Sequence, residues 1–287
     1  MIRAVNTPFP IHNIQLGNGC NITYVDEGKG PQTILFIHGL ANYSMSWRKN
    51  IAALQSKFRC IAVDLPGNGF SDRGNFPYSI SFFAACIYEM IERLRLNNLC
   101  IVGHSMGGQI AIRLLADHPD CAEKLVLCAP AGFETFTSFE KGMYHSAIGF
   151  FDMFSTEENS LRKSIYSSFY QQPSQGDDLI QELVDIMKAY PSRVYRNMID
   201  ACINAMLHEP VYEVLNTIQQ PTLVLFGERD ALIPNRLIHP VTTRQIALQG
   251  IQRLPNARLE MIERCGHFLQ IEKADEVNEL IASFITE

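Results

Sequence analysis

Five short runs of largely apolar residues, none alternating with polar positions, do most to narrow what this 287-residue chain can fold into. They are Thr33-Ile34-Leu35-Phe36-Ile37, Cys60-Ile61-Ala62-Val63, Leu99-Cys100-Ile101-Val102, Leu125-Val126-Leu127-Cys128 and Thr222-Leu223-Val224-Leu225-Phe226. A strand with one face in water alternates; a run that does not alternate is covered on both faces, as in a parallel sheet under helices. Helical periods separate the runs. Phe82, Phe83, Cys86, Met90, Ile91 and Leu94 recur at threes and fours, as do Ile110, Ala111, Leu114 and Leu115, and Val277, Leu280, Ile281 and Phe284 close the chain. The expected class is α/β, a doubly wound sheet.

The alternation stops between Phe133 and Gln220. That stretch reads as helical throughout, with turn signals at Gln172-Pro173-Ser174-Gln175-Gly176 and Tyr190-Pro191. It carries 13 of the 28 aromatic residues and five of the ten methionines. Such side chains serve a small core of their own and also line adaptable apolar pockets. The expected organisation is a core of residues 1–132 and 221–287 with an inserted helical lid, 133–220.

Composition excludes several classes. With 47% hydrophobic and 19% charged residues, the chain has the apolar surface a disordered chain lacks. The net charge is −6 and no basic stripe is present, so no nucleic-acid partner is expected. No apolar run reaches the roughly 18 residues of a membrane span. Asn6, Pro8, Pro10, His12 and Asn13 interrupt any signal-like segment in Met1–Gln15. The eight cysteines include no C-x-x-C pair, so neither a zinc nor a thioredoxin site is expected. Cys60, Cys100 and Cys128 sit inside apolar runs and read as buried free thiols, pointing to a soluble protein of a reducing cytoplasm.

The chemistry centres on Gly103-His104-Ser105-Met106-Gly107-Gly108, which follows one apolar run and opens a helical period. A G-x-S-x-G in that setting lifts the serine over the sheet edge on a strained turn, with glycines where a Cβ would collide. No lysine follows, which excludes a P-loop. A serine needs a base. Of eight histidines, His267 stands after the strand-like Leu259–Ile262, at the edge expected for Ser105. His104 lies in the turn and His118 in a helix-ending Asp-His-Pro; His12 and His239 lie in polar surroundings, and His145 and His208 in the helical stretch. Three carboxylates compete to orient the base: Asp230, Glu228 and Glu134. Asp230 is chosen for its short side chain in Gly227-Glu228-Arg229-Asp230. Backbone N–H groups of Met106 and Leu40 are the expected oxyanion donors, with His38 bracing the turn.

These motifs, with the His38-Gly39 turn, Trp47, the stretch Asp64-Leu65-Pro66-Gly67-Asn68-Gly69-Phe70-Ser71-Asp72 and Gly266-His267-Phe268, resemble the α/β-hydrolase superfamily in its lidded branch. The resemblance covers nearly the whole chain outside the lid. It implies a mostly parallel eight-stranded sheet and a Ser105–His267–Asp230 triad with no metal or cofactor. One departure is the 37-residue interval from Asp230 to His267, longer than in relatives. The excess is assigned to an extended helix over Arg236–Arg253.

The function expected is hydrolysis of a carboxylic ester or similar acyl compound, the substrate being small and apolar. A rival is carbon–carbon hydrolysis of a dienoic diketone acid. Relatives with that activity carry a glycine-rich stretch where this chain has Leu40-Ala41-Asn42-Tyr43-Ser44. A receptor-like binder of low turnover is a third reading. Dehalogenases and epoxide hydrolases place an aspartate where Ser105 stands. A short, charged substrate would point to Arg193 or Arg196 as its anchor, but both arginines read as solvated helix-face charges. Oligomeric state has no signal in the sequence.

Overall fold

The computed structural model describes residues 7–151, 158–171, 178–188 and 192–287. One eight-stranded sheet runs in the order β1-β2-β4-β3-β5-β6-β7-β8. Its strands are β1 (His12–Gln15), β2 (Asn21–Glu27), β3 (Thr33–Ile37), β4 (Arg59–Val63), β5 (Leu99–His104), β6 (Lys124–Cys128), β7 (Thr222–Gly227) and β8 (Ala257–Ile262). β2 pairs antiparallel with β1 and β4, and the pairings from β4 to β8 are parallel. The five apolar runs are β3 to β7, and all residues of β3, β5 and β7 are buried. β8, at one edge, alternates between partly buried and exposed residues over most of its length. β1, at the other edge, is mostly exposed, so burial wrote little apolar pattern into it.

Helices α1 (Arg48–Leu54), α2 (Ile80–Leu94), α3 (Met106–Asp117), α8 (Thr243–Ile251), α9 (Leu269–Glu272) and α10 (Ala274–Thr286) cover the sheet. α2 starts where the Ser79 hydroxyl accepts the Phe82 N–H, and it buries Phe83, Cys86, Met90 and Ile91, four of the periodic residues. It packs on α3, while α1 packs on α10. No helix of the described residues is long and apolar enough to cross a membrane.

Between β6 and β7 lie α4 (Ser138–Phe151), α5 (Glu158–Ser167), α6 (Asp178–Lys188), α7 (Ser192–His208) and a 3-10 turn at Tyr212–Thr217. The described residues of this stretch contain no strand. The expected turns at 172–176 and 190–191 lie outside the described residues. Two of the ties from this stretch to the sheet layer come from α3 and from the turn before α1. The Gln109 amide of α3 donates to the carbonyls of Met206 and Glu209 at the end of α7. Glu182 of α6 accepts from the Tyr43 hydroxyl and pairs with Arg48.

The extended helix expected over Arg236–Arg253 is corrected. Helix covers only Thr243–Ile251, after a capping box in which Thr242 and Gln245 satisfy each other's backbone N–H groups. The residues before it are irregular because Pro240 disfavours helical backbone at His239.

Candidate active site

Ser105 joins β5 to α3 with φ 53° and ψ −119°. That region costs a non-glycine residue about 1–3 kcal/mol and persists only where the surroundings impose it. Here they do. The Ser105 N–H donates to Cys128 O at 3.0 Å, and its carbonyl accepts from Gly108, Gln109 and Ala131. A Cβ on Gly103 would lie 2.5 Å from Gly107 O, and one on Gly107 would lie 2.3 Å from Ile37 O. Strand, helix and the neighbouring turn therefore approach to a spacing that only glycine permits. Gly39 repeats the device: a Cβ there would meet His104 Nδ1 at 2.9 Å and the Ser105 Cβ at 3.0 Å. The His38-Gly39-Leu40 turn is thus pressed against the serine.

At the next part of the sheet edge, Gly227 lets the β7 loop close on the His267 loop. A Cβ on it would lie 2.2 Å from Gly266 O. His267 Nδ1 is 2.8 Å from Asp230 Oδ2, and both residues are buried. The other carboxylate oxygen, Oδ1, accepts the N–H groups of Leu232 and Ile233 at 2.8 and 3.0 Å. Asp230 is therefore held on both oxygens. Of the competing carboxylates, Glu228 is exposed. Glu134 pairs instead with His239 Nδ1 at 2.6 Å and accepts the Asn235 N–H. Burial pushes the Glu134 carboxyl above the usual range, opposed by those bonds.

Both expected oxyanion donors lie in segments next to Ser105, Met106 following it in the chain and Leu40 in the turn packed against it. Met106 is the first residue of α3, so its N–H has no acceptor within the helix. No hydrogen bond among the described residues engages the Leu40 N–H, and Leu40 lines the same cavity as Ser105. His38 holds this turn as a neutral ring. Its Nδ1–H donates to Gly39 O at 2.7 Å and its Nε2 accepts the Leu65 N–H at 3.0 Å. Burial lowers its pKa to about 4. Asp64, fully buried, accepts N–H groups from Ser44 and Phe70 and ties the following loop to the same turn.

The cavity over Ser105 and His267 has a volume of about 420 Å³. Helices α5, α6 and α7 supply Ile165, Leu179, Leu183, Ile203 and Met206 to its wall. Polar lining comes from Asn42, Gln109, Glu134, Asn235 and Arg236. Arg193 and Arg196 lie exposed on α7 and do not line this cavity, as solvated helix-face charges would. They lie on the solvent face because Tyr195, Met198 and Ile199 take the buried side of that helix. Arg236 is the one lysine or arginine among the described lining residues. No group of three or more His, Cys, Asp or Glu side chains among the described residues is placed to hold a metal.

One site residue lay within the serine motif without a role that the sequence could assign. His104, the last residue of β5, points its Nε2 at the carbonyl of His267, 3.0 Å away. Their rings lie 4.8 Å apart. Burial, with the nearby His267, pushes the His104 pKa well below the usual value, so it is a neutral donor. Its neighbour in sequence is Ser105, but its partner is 163 residues away.

A family model described as alpha/beta hydrolase fold matches residues 32–274. An uncharacterised hydrolase of Bacillus subtilis is 26% identical over 93% of this chain and 95% of its own length. A 2-hydroxy-6-oxononadienedioate/2-hydroxy-6-oxononatrienedioate hydrolase of Paraburkholderia phymatum is 26% identical over 96% and 94%. Among solved structures, an esterase from Exiguobacterium antarcticum shares the fold with a TM-score of 0.81 at 24% identity, over 96% of this chain and 99% of that one. A meta-cleavage product hydrolase from Pseudomonas fluorescens does so at 0.73 and 24%, over 96% and 97%.

Proposed function

The chain belongs to the alpha/beta hydrolase fold family, and from that premise we propose that it is a serine hydrolase of carboxylic esters or similar acyl compounds. Ser105 is the nucleophile, His267 the base and Asp230 the residue that orients it. His267 Nε2 takes the Ser105 proton as the oxygen attacks the carbonyl. The N–H groups of Leu40 and Met106 stabilise the oxyanion, an acyl-enzyme forms, and water activated by His267 releases the acid. The observation that carries this reading is the 2.8 Å contact from His267 Nδ1 to Asp230. With that nitrogen engaged, Nε2 is the one left for the serine.

Residues 133–220 act as a lid over the core of 1–132 and 221–287, and their apolar lining favours a small apolar acyl group. The eight cysteines are free and all but Cys121 are buried, which supports a reducing, cytoplasmic setting.

Carbon–carbon hydrolysis is the second reading. It is favoured by the activity for which the Paraburkholderia relative is named and by Arg236, a cavity cation able to meet a substrate carboxylate. A p-nitrophenyl ester series set against a dienoic diketone acid separates the two.

The basic reading is tested with a fluorophosphonate probe and intact-protein mass. One adduct is expected on the wild type and none on Ser105→Ala, whose turnover falls on the order of 10⁶-fold. A folded wild-type protein that stays unlabelled is a binder without an activated serine, and the proposal fails.

A further inference from the structure

The loop that carries His267 does not stand alone; it is fastened to the helical stretch before β7. The fastener is Glu272, the last residue of α9. Its Oε1 accepts the Gly266 N–H at 3.0 Å. Its Oε2 accepts the N–H groups of Tyr170 and Gln171, at 3.0 and 3.1 Å. One carboxylate thus joins residues on either side of a contact that spans about a hundred positions of chain. Beside it, the His267 N–H donates to Ser168 O at 2.9 Å, and Phe169 stacks on Phe268 with centroids 4.9 Å apart. Gly266 is the residue that allows this docking. A Cβ there would lie 2.6 Å from Tyr170 N and 2.7 Å from Ser168 O.

The anchor joins a side fixed in the core to the segment 168–171, which is held by hydrogen bonds and the Phe169–Phe268 stack. Leu269, Gln270 and Ile271 are buried, so α9 holds the Glu272 backbone against the core. Burial pushes the Glu272 carboxyl above the usual range, while its three N–H bonds favour the ionised form. The peptide groups of His267 are gripped at two points: the N–H by Ser168 and the carbonyl by His104. If segment 168–171 lifts, the first grip goes, and Glu272 keeps only its bond to Gly266.

We propose that Glu272 is a positioning residue that fastens segment 168–171 to the His267 loop, so that the base is held in its working place only while that part of the lid is docked. The inference rests on the reading of His267 as the base. An enzyme built this way is active when closed and slack when open, because lifting the lid for substrate exchange also loosens the base.

The test uses Glu272→Gln and Gly266→Ala in the full chain. The glutamine presents one acceptor oxygen and an NH₂ group, so it opposes a donor to one of the two sets of N–H groups. The alanine keeps every charge and pushes the segment away by volume alone. Three quantities are measured: amide hydrogen exchange at 169–171, the rate of fluorophosphonate labelling at Ser105, and kcat and KM for a p-nitrophenyl ester. Both variants should exchange faster at 169–171. Both should label and turn over more slowly, by about 10- to 100-fold, the scale of a misplacement near 1 Å. The loss should fall on kcat more than on KM. Thermal unfolding establishes that each variant is folded. Faster exchange with wild-type labelling and kcat overturns the proposal, because the segment then loosens without displacing the base. Unchanged exchange in both variants overturns it as well. A wild type that is not labelled removes the serine-hydrolase reading itself, whereas a labelled wild type with variants at its rate removes this inference alone.

Discussion

Replacing Asp230 by asparagine turns one of two engaged oxygens into an NH₂ group, and the surrounding bonds dictate which one. Oδ1 receives two backbone N–H groups, from Leu232 and Ile233, and Oδ2 receives His267 Nδ1. An NH₂ turned toward the loop would confront two buried donors with a third. At about 1–3 kcal/mol for each unmatched group, that orientation costs about 2–6 kcal/mol. Turned the other way, the NH₂ meets one ring nitrogen, and the imidazole accommodates it by shifting its proton to Nε2. The asparagine therefore keeps its oxygen on the loop and donates to Nδ1. His267 then presents N–H toward Ser105 and cannot take the serine proton. The same substitution in a comparable triad lowers turnover about 10⁴-fold, some 5 kcal/mol of barrier. Turnover of p-nitrophenyl butyrate at neutral pH should fall by that factor, with a thermal midpoint near wild type because both loop bonds survive. Glu228→Gln and Glu134→Gln should keep most of their turnover. If Asp230→Asn loses less than about tenfold, or a glutamate variant collapses in its place, the tautomer reasoning and the choice of Asp230 are wrong.

Other outcomes follow from the same geometry. Gly107→Ala should lower stability by about 1–3 kcal/mol in urea unfolding, since its Cβ would meet Ile37 O at 2.3 Å; a wild-type midpoint would contradict the close approach. Acyl chains should gain in kcat/KM with each methylene, by at most about 1–3 kcal/mol, until the cavity is full. A flat series, or a preference for short acids that Arg236→Ala abolishes, would refute an apolar acyl pocket. His38 is neutral in the fold, with a pKa of about 4, but takes a proton near pH 6.5 when unfolded. The unfolded state then binds more protons between those values. His38 thus costs stability as pH falls from about 6.5 to 4, on the order of 3 kcal/mol in total. Urea unfolding of His38→Asn across that range should show a shallower pH slope than wild type, and equal slopes would refute a buried neutral ring.

The five central strands were legible because each residue of a doubly covered strand reports its own burial, and Val, Ile, Leu and Phe crowd into β3 and β5 to β7. β1 and β2 were expected only through the resemblance. β1 lies at an exposed edge where no apolar run is required. The elbow was legible for a related reason. A turn that brings Gly103 and Gly107 against backbone atoms restricts the residue types at those positions and leaves a local motif.

Encounters between distant segments were not written locally. Asp230, Glu228 and Glu134 all stood close to strand ends, and spacing alone left them in competition. The distinction came from loop paths across the twisted sheet edge, which bring one oxygen of Asp230 within 2.8 Å of His267 and turn Glu134 to His239. His104 lies inside the serine motif without its own role being legible there, and Glu272 carried no motif, since a histidine in a turn or a helix-end glutamate has many uses. Their present partners are the carbonyl of a residue 163 positions away and two N–H groups about a hundred positions away. By itself the sequence determined the layered α/β class, the serine turn and the histidine that follows the last strand. Short-range periodicity and steric demand are imposed residue by residue. The sequence favoured Asp230 among three carboxylates, but the tertiary structure alone brought it to that histidine and decided which part of the helical stretch fastens its loop, because a hydrogen bond forms only where folding has brought two directed groups within about 3 Å.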